Sequence, residues 1–461
     1  MPVFEKRTPM PASAADLFAW HAAKGAFARL TPPFDQARVI RDLPRLADDE
    51  YAVIEVAIGP AKVQWTARHT EVKDGRDGGV AGFVDTMENG PFSSWRHEHI
   101  FEPVDDDNSI LHDRITWESL PGAGLIVPAR LERMFAFRHA VTLDDLLLRR
   151  DLKAPSPIVV GVTGATGLIG TELTALLQVL GHEVRPFQRV KAGETAKPGH
   201  IAWTPETGVI DVDAAVGLDA VVHLAGENIA AGRLTDAKKA RLREQRIEQT
   251  KKLFTSLAAL TSPPKVVVGA SAVGFYGDRG DEVLDETSAA GTDYLAGFCV
   301  DWQDAVLHTP PKPPWRAVTT RIGIVQSPDG GALGMVLPLF QAGLGGKLAD
   351  GKSWTPAIGI DDMAGVIVRA LFDDRVDGIV NAVGPTPIRN VDYTKVLADV
   401  VNRPAILPVP RFALKLALGE FADNVLASNR AHPVKLTAVG HRFRHLDVEH
   451  ALRHLLGHVE R

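Results

Sequence analysis

Thr163-Gly164-Ala165-Thr166-Gly167-Leu168-Ile169-Gly170 combines residue types and spacing suited to holding a phosphate. A short apolar run, Ile158-Val-Val-Gly-Val162, precedes it, and a helical apolar pattern from Leu168 to Leu180 follows. A strand therefore hands over to a helix through a glycine-rich turn. Gly164 can take the tight bend, Gly167 lets a pyrophosphate approach the backbone, and Gly170 lets the helix pack closely on the strand, with the helix N-terminus facing the phosphates. In such a site a carboxylate about 20 residues further on accepts the ribose hydroxyls of NAD. The chain instead reads Val184-Arg-Pro-Phe-Gln-Arg189-Val-Lys191, with no acidic residue. A guanidinium there suits a 2′-phosphate, so the expected cofactor is NADP(H), contacted by Arg189; the alternative is that Arg189 is a solvated loop cation. The next strand, Val221-Val-His223, runs into Leu224-Ala225-Gly226-Glu227, small at its centre as a chain must be beside a bound nucleotide. A further strand ends at Ser271 in Ala270-Ser-Ala-Val-Gly-Phe-Tyr-Gly277, on the same ligand-binding edge.

Other chemistry-bearing residues have a plainer first reading. His97 and His99 lie two apart and share one face of a strand, as metal ligands would, but with no third ligand legible they are expected on a polar outer face. Cys299, the single cysteine, is expected to be a small buried apolar group, since no base can be assigned to it. Asp361-Asp362 is expected first to cap a helix, and second to be a site residue.

The elements that position these residues fall into separate regions. At 461 residues the chain exceeds a domain of ~100–200 residues. Residues 1–150 begin with a capped helix start at Ser13 and continue as strand-like stretches. These are Ile54 to Ile58, Val63 to Ala67, Ala81 to Thr86, Phe92 to Phe101 and Ile110 to Trp117, with Gly78-Gly79 as a break. A helical stripe from Ala129 to Arg150 then follows through Leu131, Met134, Phe135, Val141, Leu143, Leu146 and Leu147. A curved antiparallel sheet on a long helix leaves room for a lipid-like or aromatic ligand, unless the core is filled. Pro155 and Pro157 mark a linker. From residue 156 to 401, strand-like runs at 158–162, 220–224, 265–271 and 316–325 alternate with helical patterns such as Asp236 to Leu260, implying a parallel doubly wound α/β sheet. Residues 402–461 form a helical cap, with an apolar helix at Phe412 to Phe421.

No apolar run is long enough to span a membrane, the N-terminus lacks a signal-peptide core, and a net charge of −6 gives no reason to expect nucleic acid. One cysteine fits a reducing compartment, so the cytoplasm is expected.

The turn at 163–170, His223 to Asn228, Arg246 to Thr250, Ser271 to Gly277, Asp293 to Trp302, Arg321 to Val325, Gly343 to Lys347 and Pro404 to Glu420 together resemble the atypical extended short-chain dehydrogenase/reductases, the nucleotide-sugar-epimerase-like branch. Residues 1–150, through Gly90 to His97 and Arg133 to His139, resemble an SRPBCC (START-like, helix-grip) domain. The resemblance implies a Rossmann fold with a C-terminal cap, and Ser271 and Tyr294 as catalytic residues. It also implies a Lys four residues after the Tyr, where this chain has Phe298, and an Asn where it has Arg246. Without a nearby cation Tyr294 is a proton donor rather than a base. The expected function is an NADP(H)-dependent oxidoreductase or epimerase-like enzyme on a small molecule. The alternative is a non-catalytic NADP(H)-responsive protein whose N-terminal domain holds an apolar ligand.

Overall fold

Along Phe92–Pro103 every second residue from Trp95 to Phe101 is buried, the period of a strand with one face against a core. The computed structural model describes residues 1–35, 37–41, 45–58, 61–75, 80–119, 127–230 and 232–458; the expected break at Gly78-Gly79 lies outside them. Contacts divide the chain into two compact units, Met1–Pro155 with Ala175–Gly181 and Arg453–Arg461, and Ser156–Thr174 with His182–Leu452.

The first unit is built on β1 (Val3–Met10), α1 (Ala14–Ala22), α2 (Ala26–Leu30), β2 (Arg38–Arg41), β3 (Tyr51–Ile58), β4 (Ala61–Lys73), β5 (Ala81–Asn89), β6 (Phe92–Pro103), β7 (Ser109–Ser119) and α3 (Val127–Asp151). The strands form one antiparallel sheet in the order β1-β7-β6-β5-β4-β3-β2. β1 was hidden in the sequence because Glu5, Lys6 and Arg7 interrupt its apolar alternation, and it is held by full pairing with β7. Ser13 caps α1 as its position implied, its Oγ accepting from the Asp16 amide at 3.1 Å. The α3 stripe buries Leu131, Phe135, Val141 and Leu146, together with Phe137 and Leu148 in place of Leu143 and Leu147.

His97 and His99 correct the sequence reading. They share the buried face of β6 with Trp95 and Phe101, while Arg96 and Glu98 take the other face. Two ionised groups from neighbouring strands make this tolerable: Asp85 pairs with His97 in register, and Asp113 with His99. Those partners lie 12 and 14 residues away in sequence, so no local pattern announces them.

The second unit contains β8 (Val159–Thr163), the start of α4 (Leu168–Val179), β9 (Glu183–Arg189), β10 (Ile201–Thr204), β11 (Val209–Ile210), β12 (Ala220–His223), α5 (Asp236–Arg243), α6 (Gln249–Ala258), β13 (Val266–Ala272) and α7 (Tyr294–Leu307). Its sheet runs β11-β10-β9-β8-β12-β13, then Arg316–Ile322 and Gly378–Ala382, all parallel except the β10–β11 pair. β12 is buried at all four residues, as a strand covered on both faces must be. The order reverses direction between β8 and β12, which opens a crevice at their C-terminal ends.

Two expected helices are interrupted. Residues 236–258 are helical, but Glu244–Glu248 winds as a π-helical segment between α5 and α6. The apolar helix near 412 stops at Leu418, where Gly419 takes φ 61°, and a second one, Phe421–Leu426, follows. Among the described residues no helix is long and apolar enough to cross a membrane.

Candidate functional site

The glycine turn lies at the crevice, and its shape depends on missing side chains. Gly164 has φ 68°, and a Cβ on it would lie 2.9 Å from the Leu224 carbonyl carbon and 3.0 Å from the Ala225 nitrogen. A Cβ on Gly170 would meet the Gly164 oxygen at 2.1 Å. The Gly167 amide closes the turn on the Gly164 carbonyl at 2.9 Å, leaving Thr166 and Gly167 exposed ahead of Leu168 and Ile169 in the first turn of α4. The amide-bearing end of a 12-residue helix and a bare backbone beside Ala165 are what a pyrophosphate requires, so the residues present fit a dinucleotide.

Beneath the turn, a buried relay joins β8 to β12. Thr163 Oγ1 accepts from the Leu224 and Ala225 amides, both at 3.1 Å, so its one proton goes to His223 Nδ1 at 2.8 Å. His223 must therefore carry its own proton on Nε2, which it donates to Thr250 Oγ1 at 2.9 Å; Thr250 in turn donates to the Arg246 carbonyl at 2.8 Å. Burial first, and the charges of Arg246 and Arg189 second, hold His223 down to about 3. It stays neutral and fixes where Leu224 and Ala225 run.

Arg189 ends β9 at the same edge, exposed, with its guanidinium carbon 5.9 Å from the centre of the Trp203 ring. Gly226 lies against Arg246: a Cβ there would come within 2.1 Å of Arg246 Nε. The π-helical segment supplies both backbone partners of Glu227, since Gln245 Oε1 accepts its amide at 2.9 Å and Arg246 Nη2 donates to its carbonyl at 3.2 Å. Arg246 Nε is buried with no hydrogen-bond partner, and the guanidinium lies 4.5 Å from the Trp302 ring centre.

Ser271 and Tyr294 are held by different partners. Ser271 is buried, and its Oγ accepts from Gln303 Nε2 at 3.1 Å. Gln303 Oε1 takes two bonds from Arg321, which donates to Tyr276 Oη at 2.8 Å, and Tyr276 donates to Asn381 Oδ1 at 2.7 Å. Tyr294 opens α7 behind an Asp293 cap, is half-buried, and directs its hydroxyl to the Lys239 carbonyl at 3.4 Å. Phe298 is fully buried against Trp302, so a Lys at that position would end in the core. The cation near Tyr294 comes instead from α5, with Lys239 Nζ 4.9 Å from the ring centre. Burial raises Tyr294 above its ordinary value, and Arg243 and Lys239 offset this only in part.

A family model for the NAD dependent epimerase/dehydratase family matches residues 160–382, and one for polyketide cyclase / dehydrase and lipid transport matches residues 10–150. A third, a domain of unknown function (DUF1731), matches residues 409–455. The epimerase family protein Mb2239 of Mycobacterium bovis is 39% identical over 295 residues, 64% of this chain and 96% of that one. The chain belongs to this epimerase family. The human epimerase family protein SDR39U1, solved with NADPH, is 30% identical, covering 66% of this chain and all of that one at a TM-score of 0.60. A Corynebacterium glutamicum structure described as a nucleoside-diphosphate sugar epimerase is 34% identical across 98% of this chain and 90% of that one, with a TM-score of 0.79. That match takes in both the helix-grip and the Rossmann parts.

In this epimerase family member, Asp361 and Asp362 are not caps. Gly359 is the N-cap of the helix Ile360–Phe372, and both aspartates lie buried in its first turn. Asp362 accepts the Arg444 and His445 amides at 2.6 and 3.3 Å, and burial pushes its carboxyl up to about 7. Cys299 is buried, and burial pushes its thiol up to about 12, so it is inert. Lys239, Gln245 and Gln303 escaped the sequence reading because each reads locally as an ordinary amphipathic helix residue.

Proposed function

We propose that this chain binds NADP(H) at the strand-end edge of its parallel sheet and acts as an epimerase-like oxidoreductase on a small organic molecule, in the cytoplasm. The observation that carries the reading is the end of β9, where the exposed Arg189 stands beside Trp203 and no carboxylate offers itself to a ribose 2′-hydroxyl. NADPH in the human relative supports it. Gly164, Gly167 and Gly170 make room for the pyrophosphate at α4, Leu224 to Glu227 pass beside the nucleotide, and Arg189 meets the 2′-phosphate. A bound nicotinamide supplies or accepts hydride. Tyr294 keeps its proton at neutral pH and donates it to a substrate oxygen; Ser271, its hydroxyl held by Gln303, orients that oxygen.

A second reading, an NADP(H)-responsive protein without turnover whose helix-grip unit holds an apolar ligand, is favoured by the buried Phe298 in place of the family's Lys. Calorimetric titration of the full chain with NADPH and NADH tests the shared part. NADPH binds at least ten-fold more tightly, and 2′,5′-ADP competes where 5′-AMP does not; equal affinities contradict it. NADPH oxidation by any member of a carbonyl panel, lost in Tyr294→Phe, selects the enzyme over the second reading.

A further inference from the structure

On the inner face of the antiparallel sheet, Asp85, His97, His99 and Asp113 form a closed square. Asp85 Oδ2 lies 3.0 Å from His97 Nδ1 and 3.2 Å from His99 Nε2. Asp113 Oδ1 lies 2.8 Å from His97 Nε2 and 2.9 Å from His99 Nδ1. Each carboxylate oxygen thus stands between two imidazole nitrogens, and the two rings are 3.7 Å apart at their centres. His97 and Asp113 are each 3% exposed, so bulk water does not screen the square.

Protons alone satisfy this arrangement poorly. Hydrogen bonds on all four sides would require both imidazoles to be doubly protonated, two cations stacked in a buried site. With one ring neutral, a bare nitrogen faces a carboxylate oxygen at about 3 Å. At the Asp85 corner a single oxygen, Oδ2, faces His97 Nδ1 and His99 Nε2 at once. With the imidazole protons on the far nitrogens, His97 Nε2 and His99 Nδ1, both directed at Asp113 Oδ1, the lone pairs left at that corner are the arrangement of ligands around a shared cation. Bonds of ~2.0–2.1 Å to an ion place neighbouring ligand atoms about 2.9–3.4 Å apart, which brackets the Asp85 corner.

We propose that Asp85 Oδ2, His97 Nδ1 and His99 Nε2 bind a divalent first-row transition-metal ion on the inner face of the helix-grip sheet. Two imidazoles and one carboxylate favour zinc or iron(II) over calcium or magnesium, and three protein ligands leave coordination positions open. The surroundings support that corner. His97 donates its far N–H from Nε2 to Asp113 at 2.8 Å, and the other Asp113 oxygen is held by His139 Nε2 at 2.7 Å. His139 is fixed in turn by Thr8 Oγ1 at 2.7 Å. A carboxylate behind a ligating imidazole, itself anchored, sets the tautomer and orientation of a metal ligand. Phe83 stacks on His99 at 4.1 Å between ring centres and holds its plane.

The test uses the full chain, stripped with chelator and titrated with Co²⁺ alone. One equivalent binds with visible d–d absorption, Zn²⁺ displaces it, and X-ray absorption finds imidazole nitrogen in its coordination sphere. Asp85→Asn and His99→Gln each weaken Co²⁺ at least ten-fold, and His139→Gln, acting through Asp113, weakens it ten-fold or less. Should a variant fail to fold, the absorption spectrum of the unaltered chain decides alone. No uptake of Co²⁺ or Zn²⁺ by the unaltered chain at micromolar concentration, or uptake without imidazole ligation, overturns the proposal and leaves a purely protonic network.

Discussion

At the strand ends of the parallel sheet Arg189 is exposed, and His223, buried and hydrogen-bonded to two hydroxyls, is kept neutral by burial first and by the charges of Arg246 and Arg189 second. On the inner face of the antiparallel sheet charge is carried inside, where Asp85, Asp113 and His97 lie within 3.0 Å contacts. Burial alone would lower both histidines. It wins at His223, which falls to about 3, but at His97 the two carboxylates outweigh it and raise the imidazole to about 9. The carboxylates respond in kind: burial pushes Asp113 up, but His99, His139 and His97 together hold it well below the usual range. One edge clears space for a ligand's charge; the other face already holds opposite charges that must balance each other.

The largest effect should come from breaking that balance. Asp113→Ala removes the shared partner of His97, His99 and His139 and leaves Asp85 as the one carboxylate against these buried imidazoles, costing about 3–5 kcal/mol. Loss of the near-ultraviolet signal of Trp20, Trp95 and Trp117 at lower urea checks it, and NADPH affinity should survive. A fully retained transition would mean the square contributes little to the fold.

At the other edge, Gly170→Ala places a methyl 2.1 Å from the Gly164 oxygen, which must move the turn. NADPH affinity should drop at least 100-fold by titration, with stability reduced by about 1–3 kcal/mol. Unchanged affinity would show that the turn does not carry the phosphates.

How much of this could be read from sequence follows the same contrast. The turn at 163–170, the crevice and Arg189 were legible because strand, glycine spacing and helix are contiguous, so their chemistry sits in one window. β1 was not, since charges mask its period and only pairing with β7 makes it a strand. His97 and His99 were placed on the wrong face because their partners, Asp85 and Asp113, come from β5 and β7. The Phe298 position read as a missing Lys, yet the cation near Tyr294 comes from Lys239, 55 residues earlier. The π-helical turn that points Gln245 and Arg246 at Glu227 has no periodic signature.

A smaller effect separates the two histidine environments. The folded state lowers His223 to about 3 from an unfolded value near 6.5. Its contribution is therefore fully present above pH 6.5 and is lost as pH falls toward 3, with a slope of up to about 1.4 kcal/mol per pH unit. Urea unfolding between pH 7 and 5 should show stability falling, and His223→Asn, which cannot titrate, should make that limb shallower, the remainder coming from buried histidines such as His21 and His441. An identical slope in the variant would remove His223 as its source.

The central claim rests on Arg189, and the most direct measurement is the affinity of Arg189→Ala for NADPH and NADH side by side, by calorimetry at fixed salt. Loss of a charge-assisted contact to the 2′-phosphate should weaken NADPH by about 1–3 kcal/mol and leave NADH nearly unchanged, so that the variant no longer tells the two apart. Equal weakening of both, or none of either, would contradict the assignment of the β9 edge as the 2′-phosphate site.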